Sequence, residues 1–437
     1  MESTNFDSIP LEELNKALSF ALHNDYSSFY NQLHGEPRLP VTSYEEFTRI
    51  PFLEKADILA VPLTARIFIP EEDVAYYSMS SGTTQAKKPT IIPHATFYLD
   101  VFSKYWFIEE ELREFGARKL MLLLPPLAPV FIRSFLVEKK YPSVIGGDIN
   151  KLNPMAMMAK EVGTQGLITT ATILEAFIHE LRACEFDCAG VTWISLGSEY
   201  CSEAKLAHFK SVFPNAFFNF RFGTSEIGFG RGYRCRHLAN EKSPSTFHPF
   251  EGALLEICAP DGTLTPWGVP GEIVHTDLTK KAFPMIRYKT GDIGSLERIA
   301  CPCGNPFTLV LGGRAGFDVL HAFGVILHTE AIANAVATVK DSIEQTFQMH
   351  VFEEQTPRGV LPRLELHLRP QVGQLNLKND PTFTALINKK ISASLHLSAK
   401  STLQDLVEKG VFLPLTIVFV DAWKSDTKTK HIISHLQ

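Results

Sequence analysis

The sequence lacks any long uninterrupted apolar run. Its most apolar stretch, Leu120 to Ile132, is broken by Pro125, Pro126 and Pro129 and is shorter than the ~20 residues a bilayer-spanning helix needs. It has no basic face either. Lys and Arg number 42 against 48 Asp and Glu, for a net charge of −6, so there is no electrostatic case for nucleic acid. Cysteine is sparse, seven in 437 residues. An odd, scattered set in a long chain argues against a secreted disulfide framework and for a reducing compartment. The segment Met1–Asp7 carries neither a basic region nor an apolar core, so no secretory signal is expected. There are no internal repeats and no low-complexity tracts. These absences leave a soluble, cytoplasmic protein without nucleic-acid or membrane partners as the expectation.

The composition is that of an ordinary globular protein, 45% hydrophobic and 21% charged, long enough for two or three domains. Residues up to about 70 read as short helices, one opened by Ser43 with Glu46 three positions on, a capping-box spacing. Buried strands are expected at Leu120–Leu124, Gly166–Thr170 and Val191–Leu196, with helices at Ile173–Leu181 and Ser202–Phe213 between or after them. Strand–helix alternation predicts an α/β fold with mostly parallel sheet and packed helices. After Arg314 the pattern changes to a compact α+β unit: Val325–Leu327, a helix from Thr329, strands near Phe347–Phe352 and Leu364–Leu368, a helix over Phe383–Leu395 and a strand at Leu415–Val420. Gly312-Gly313-Arg314-Ala315-Gly316 reads as a hinge, dividing a large domain, 1–313, from a small mobile one, 314–437.

Ser80-Ser81-Gly82-Thr83-Thr84-Gln85-Ala86-Lys87-Lys88 follows an extended segment, Val74–Met79. Hydroxyls, a glycine and lysines suit phosphate oxygens, though the spacing is not that of a Walker loop. A polar surface turn is the alternative.

Four further segments accompany this loop in order: Gly197-Ser198-Glu199, Phe222-Gly223-Thr224-Ser225-Glu226-Ile227-Gly228, Ile286-Arg287-Tyr288-Lys289-Thr290-Gly291-Asp292 and Gly313-Arg314. Together they resemble the motif set of the adenylate-forming superfamily, which includes acyl-CoA synthetases, peptide-synthetase adenylation domains and luciferases. Pro51-Phe52-Leu53-Glu54-Lys55-Ala56-Asp57 and Cys301-Pro302-Cys303-Gly304 resemble elements of its phenylacetate–CoA ligase branch. The resemblance runs from about residue 20 to residue 434.

That resemblance implies attack of a carboxylate on the α-phosphate of ATP, pyrophosphate leaving, and transfer of the acyl group to CoA. Ser80, Ser81, Gly82, Thr83, Thr84 and Lys88 would hold the β- and γ-phosphates. Gly197, Ser198 and Glu199 would lie beside the adenine, in company with the Phe222-Gly223 motif. Glu226 would bind Mg²⁺, a hard ion suited to carboxylate oxygen. Thr224 or Ser225 would reach the α-phosphate, Asp292 both ribose hydroxyls, and Arg314 would assist there. The superfamily's C-terminal lysine maps to Lys428, with Lys424 and Lys430 as competitors because Thr427 replaces the expected glycine.

Cys301 and Cys303, flanking a proline, form a half-site for tetrahedral zinc. In the resembled branch the other half comes from a cysteine and a downstream histidine, here Cys235 and His248, with His237 as the alternative ligand. Cys184, Cys188 and Cys258 read as buried small apolar residues.

Two departures stand out. Gln85-Ala86-Lys87-Lys88 replaces a shorter Gly-Lys, and Leu124–Pro129 replaces a glycine-rich stretch. With Phe131 and Phe135, the latter would wall an acyl pocket suited to an aromatic or branched acid. The leading expectation is an aryl acid–CoA ligase. Transfer to an amine or a carrier-protein thiol is the rival, and a non-catalytic nucleotide-binding homologue is the reading from another class. Whether the protein is a homodimer is left open.

Overall fold

The computed structural model describes residues 4–35, 37–79, 90–95, 106–124, 132, 136–137, 139–146, 151–197, 201, 203–224, 226–250, 252–314, 319–322, 325–356, 359–398, 401–423 and 431–435. Its contacts divide the chain into two units.

The first unit, residues 1–198 and 212–311, begins with short helices. Leu11–Leu22 buries Leu14, Leu18 and Leu22 along one stripe. Ser43 caps Tyr44–Phe47 by accepting from the Glu46 amide. Glu46 does not return the bond to Ser43; its carboxylate takes the Thr42 amide at 2.7 Å and hydroxyl at 2.8 Å instead. A reciprocal capping box forms farther on, where Glu54 and Asp57 close the start of the helix Lys55–Ala60.

β1 (Val74–Met79) and β2 (Ile91–Ala95) form an antiparallel pair. The main sheet then runs through β3 (Leu120–Leu123), β4 (Ser143–Gly146), β5 (Gly166–Thr169), β6 (Trp193–Gly197), β7 (Phe217–Thr224), β8 (Gly228–Tyr233), β9 (Thr246–Pro249), β10 (Ala253–Cys258), β11 (Gly271–Asp277), β12 (Met285–Arg298) and β13 (Phe307–Arg314). Its eleven strands lie in the order β10-β11-β12-β13-β9-β8-β7-β6-β5-β3-β4. The alternating region forms as expected: β4, β3, β5, β6 and β7 are parallel neighbours, with helices Leu152–Val162 and Ala171–Ala183 in the connections. β3 and β5 are buried along their whole length, as unbroken apolar runs require. Past β7 the sheet continues with antiparallel pairs, including β7–β8, β8–β9 and β11–β12. The helix Trp106–Glu114 is fastened to the parallel strands by Glu111, which accepts from Trp193 Nε1 at 2.9 Å and pairs with Arg221 at 3.1 Å.

Gly312, Gly313 and Arg314, expected in a hinge loop, instead finish β13 in the sheet. Residues 315–318 lie outside the described set. Cys258 is buried, but Cys184 and Cys188 are only half-buried: they sit where chain segments turn at the rim of helices.

The second unit comprises 312–437 together with 199–211, a segment expected in the large domain. β14 (Val319–Ala322) and β15 (Val325–His328) pair as a hairpin. β16 (Gln348–Thr356), β17 (Gly359–Leu368), β18 (His396–Ser398), β19 (Ser401–Thr402), β20 (Thr416–Phe419) and β21 (Ile432–Ser434) complete it. The sheet β20-β17-β16-β21 turns Met349, Val351, Leu364, Leu366 and Ile432 into a core shared with the helices Thr329–Ala337 and Pro381–Ser394. No helix among the described residues is long and apolar enough to cross a membrane.

The opposite face of that sheet gathers histidines. His350 Nδ1 lies 2.9 Å from His435 Nε2, and the His350 and His367 rings stack at 4.1 Å. Burial, then His367 and His435, hold His350 down to about 4. The unfolded chain takes up this proton near pH 6.5, the fold only near 4, so this group's contribution to stability is lost as pH falls through that interval. His350→Gln should therefore show a smaller drop in urea midpoint than the parent between those two pH values.

Candidate active site and metal centre

Gly197 ends β6, beside Arg221 of β7, at the carboxyl ends of the parallel strands where open α/β sheets bind ligands. β7 ends at Thr224 and the chain reverses into β8, pairing Thr224 with Gly228. Thr224 Oγ1 accepts the Ile227 amide at 3.2 Å, and Gly228 adopts φ 98°, a conformation that favours glycine. The turn carries Glu226, which is only 5% exposed.

Two buried cations hold this turn by its backbone. Lys280 Nζ donates to the Glu226 carbonyl, and Arg231 Nε donates to the Ile227 carbonyl at 3.1 Å. Asp277 supplies their counter-charge: its Oδ2 meets Arg231 at 2.8 Å, while Oδ1 accepts the amides of Thr279 and Lys280 at 2.8 and 3.1 Å. Burial brings the Lys280 ammonium down to about 7, and brings His275 on β11 to about 3, so that His275 is neutral. His94 on β2 is likewise held well below its ordinary value, first by burial and then by Lys280 and Arg231. Sequence reasoning missed this group. The signal was available as His275, Asp277 and Lys280 interrupting an apolar run that leads into the Arg-Tyr-Lys-Thr-Gly-Asp motif.

That motif lies in β12. Opposite β11, Val274 pairs with Lys289 but Glu272 pairs with Ile293, so Thr290-Gly291-Asp292 bulges from the ladder. Gly291 sits at φ 73°, Thr290 Oγ1 donates to the Ile273 carbonyl at 2.8 Å and accepts the Asp292 amide at 3.1 Å. Asp292 is therefore aimed by a bulge within a strand, not by a loop turn, and is 5% exposed.

Pro51–Asp57 docks onto the same strand. The Leu53 amide donates to the Arg287 carbonyl at 3.0 Å and its carbonyl accepts the Lys289 amide at 2.9 Å. Lys55 then points back to the turn, with Nζ 3.7 Å from Glu226 Oε1.

Of the residues expected at the site from sequence, Gly197 closes β6, while Phe222, Gly223 and Thr224 close β7. Glu226 is on the turn after them, Asp292 is in the bulge, and Arg314 closes β13. Ser80, Ser81, Gly82, Thr83, Thr84, Lys88, Ser198, Glu199, Ser225 and Lys428, with Lys424, Lys430, Phe131 and Phe135, lie outside the described residues.

A second cluster joins Cys235, His248, Cys301 and Cys303, whose ligand atoms all lie within 4.8 Å of one another. Cys235 caps the helix Arg236–Glu241. His248 is on β9, and the two other cysteines sit in a turn closed by the Gly304 amide on the Cys301 carbonyl at 2.9 Å. Gly304 takes φ 91° there. Sγ of Cys235 is 3.5 Å from Sγ of Cys301 and 3.4 Å from His248 Nε2, which is 3.3 Å from Cys303 Sγ. A tetrahedral ion with bonds of about 2.3 Å to sulfur and about 2.0 Å to nitrogen would space its ligands roughly 3.5–3.8 Å apart. His248 Nδ1 lies 2.7 Å from the Phe307 carbonyl, so its proton is held there and Nε2 is left as the donor to an ion. His237, the alternative ligand, is in the helix behind Cys235 and does not join the cluster.

No family model matches the chain. It is 28% identical over 289 residues to the phenylacetate–coenzyme A ligase of Thermus thermophilus, a match covering 63% of each chain. The phenylacetate–coenzyme A ligase of Pseudomonas putida is 23% identical over 433 residues, covering 92% of this chain and 93% of the relative. Among solved structures, a 2-hydroxyisobutyryl-CoA ligase in the postadenylation state superposes with TM-score 0.75 at 14% identity, over 97% of this chain and 88% of its own. An anthranilate CoA ligase in complex with anthranoyl-AMP superposes with TM-score 0.58 at 16% identity, over 82% and 66%.

The buried charges beneath the turn give a direct test. Asp277→Ala leaves Arg231 and Lys280 without their carboxylate and should cost about 3–5 kcal/mol of unfolding free energy, read by urea denaturation.

Proposed function

We propose that this chain, phenylacetate–CoA ligase-like in sequence and adenylate-forming in fold, uses ATP to convert a carboxylic acid to its acyl-AMP and then passes the acyl group to CoA. The observation that carries the reading is the buried Glu226 carboxylate on the turn that ends the last parallel strand.

The first step joins two anions, so charge must be offset and the reactants aligned. Glu226 is a single, buried, hard oxygen donor on a backbone fixed by Lys280 and Arg231, which fits Mg²⁺ held by one carboxylate and substrate phosphates. Bound there, Mg²⁺ would offset phosphate charge. Thr224, whose hydroxyl proton is free of the Ile227 contact it accepts, is assigned to the α-phosphate together with Ser225. Asp292, presented by its bulge, is assigned to the ribose hydroxyls, with Arg314 assisting. Ser80, Ser81, Gly82, Thr83, Thr84 and Lys88 are assigned to the outer phosphates, Gly197, Ser198 and Glu199 to the adenine side, and Lys428 to the adenylation lysine. The acid is aromatic in this reading, as the relatives' names suggest for them, and the smaller unit supplies the mobile element. A reducing, cytoplasmic setting suits the free thiols of the described residues.

Acid-dependent exchange of labelled pyrophosphate into ATP tests the first step. Exchange should appear with an aryl acid and fall by at least roughly a hundredfold in Glu226→Gln. Adding CoA should then yield the thioester. No exchange with any acid would overturn the reading, and exchange without thioester would redirect it to an amine or carrier-protein acceptor.

For the Cys/His cluster we assign Zn²⁺, because three thiols and one imidazole match its preference and leave no open position, the mark of a structural ion. Elemental analysis of protein purified without chelators should find about one zinc per chain. Cys303→Ser and His248→Ala should lower it and the melting temperature, whereas His237→Ala should leave both unchanged.

A further inference from the structure

We propose that Lys55 is a tethered counter-ion for Glu226, holding the carboxylate before nucleotide arrives and yielding it to the divalent cation that comes with ATP. The inference rests on the reading of Glu226 as the magnesium ligand. It concerns a motif, Pro51–Asp57, that the adenylation chemistry leaves without a role.

The motif is built to deliver one side chain. Its two Leu53 backbone bonds fix the segment to β12. The Phe52 ring lies against the Arg287 guanidinium at 4.2 Å and the Lys289 ammonium at 5.1 Å. Glu54 and Asp57 cap the following helix reciprocally, which sets the direction of its first turn. Lys55 is the first residue of that helix, and its Nζ reaches to 3.7 Å from Glu226 Oε1.

Charge and distance define what the contact can do. Glu226 has a side chain only 7% exposed, and an ionised carboxylate so buried needs a cation. Lys280 donates to the backbone carbonyl of the same residue and also acts on its carboxylate through charge. At 3.7 Å the contact between Lys55 and Glu226 is longer than a charge-assisted hydrogen bond of about 2.7–2.9 Å, so what it offers the carboxylate is charge. The Lys55 side chain is 24% exposed and carries its ammonium on a flexible four-carbon stem. A dication that prefers carboxylate oxygen displaces it. The result is a carboxylate held and aimed, which takes up little divalent cation until nucleotide phosphates add their own oxygens.

Manganese binding, followed by electron paramagnetic resonance at saturating α,β-methylene-ATP, reads this without turnover. Lys55→Met should lower the half-saturating Mn²⁺ by roughly fivefold, and Lys55→Arg should behave as the parent. Lys55→Gln repeats the measurement should the methionine variant fail to fold, as judged by thermal melting. An unchanged or raised half-saturation in a folded, charge-free variant overturns the proposal. So does an effect of Lys55→Met that persists in a Glu226→Gln background. If Glu226→Gln alone leaves Mn²⁺ binding unchanged, the magnesium reading of Glu226 fails instead, and the two failures are told apart.

Discussion

The buried pair between Arg287 and Glu256 is the constraint on which the first unit turns. Arg287 Nε and Nη2 meet the two carboxylate oxygens at 3.1 and 2.9 Å. Its Nη1 donates to the carbonyls of Thr48 and Ile50 at 2.8 and 2.5 Å, and Tyr44 donates to Glu256 at 2.6 Å. A buried ion pair gains little unless its remaining donors and acceptors are satisfied, and here the N-terminal helices satisfy them. The same arginine holds φ 48°, unusual for a side chain larger than glycine, a conformation that persists only when its surroundings fix it. Segments far apart in sequence are thereby joined at one guanidinium.

Around that junction, burial divides the labour. Arg287, Glu256, Arg231, Asp277 and Lys280 are all buried and act on backbone carbonyls and on each other. Glu226 sits on the turn that Lys280 and Arg231 hold by its backbone, while the Thr290 hydroxyl braces the bulge that carries Asp292. The Cys235–His248–Cys301–Cys303 cluster does comparable work farther along, tying the β8–β9 region to the turn between β12 and β13.

Much of this was legible in the sequence because it depends on local pattern. Short apolar runs such as those at Leu120–Leu123 and Gly166–Thr169 pointed to buried strands, and the motif order singled out Glu226 and Asp292, though not the turn and the strand bulge that carry them. The antiparallel half of the sheet was less legible, since its strands mix polar and apolar residues and pair across long loops. The buried charges were not legible at all. Lys280, Arg231 and Arg287 look like surface residues until tertiary structure supplies the carboxylates that make burial tolerable. Lys55 was visible as part of a motif, but its direction depends on a bridge to β12 that no window of sequence contains. The Cys/His cluster fell between: the Cys-x-Cys half was local and the sequence already favoured His248 over His237, while the Phe307 carbonyl that holds His248 Nδ1 came only with the fold.

The bulge at Thr290-Gly291-Asp292 bears on how such a protein can change over generations. Between Val274–Lys289 and Glu272–Ile293, β12 advances four residues while β11 advances two. The excess is even, so the strand resumes with its faces unchanged. Loss or gain of one residue there must be absorbed by reshaping the bulge; taken up as a slip in register instead, it would turn Leu296, fully buried, away from its packing. Side chains along this stretch can change one at a time, whereas a change of length by one residue must rebuild the bulge that aims Asp292.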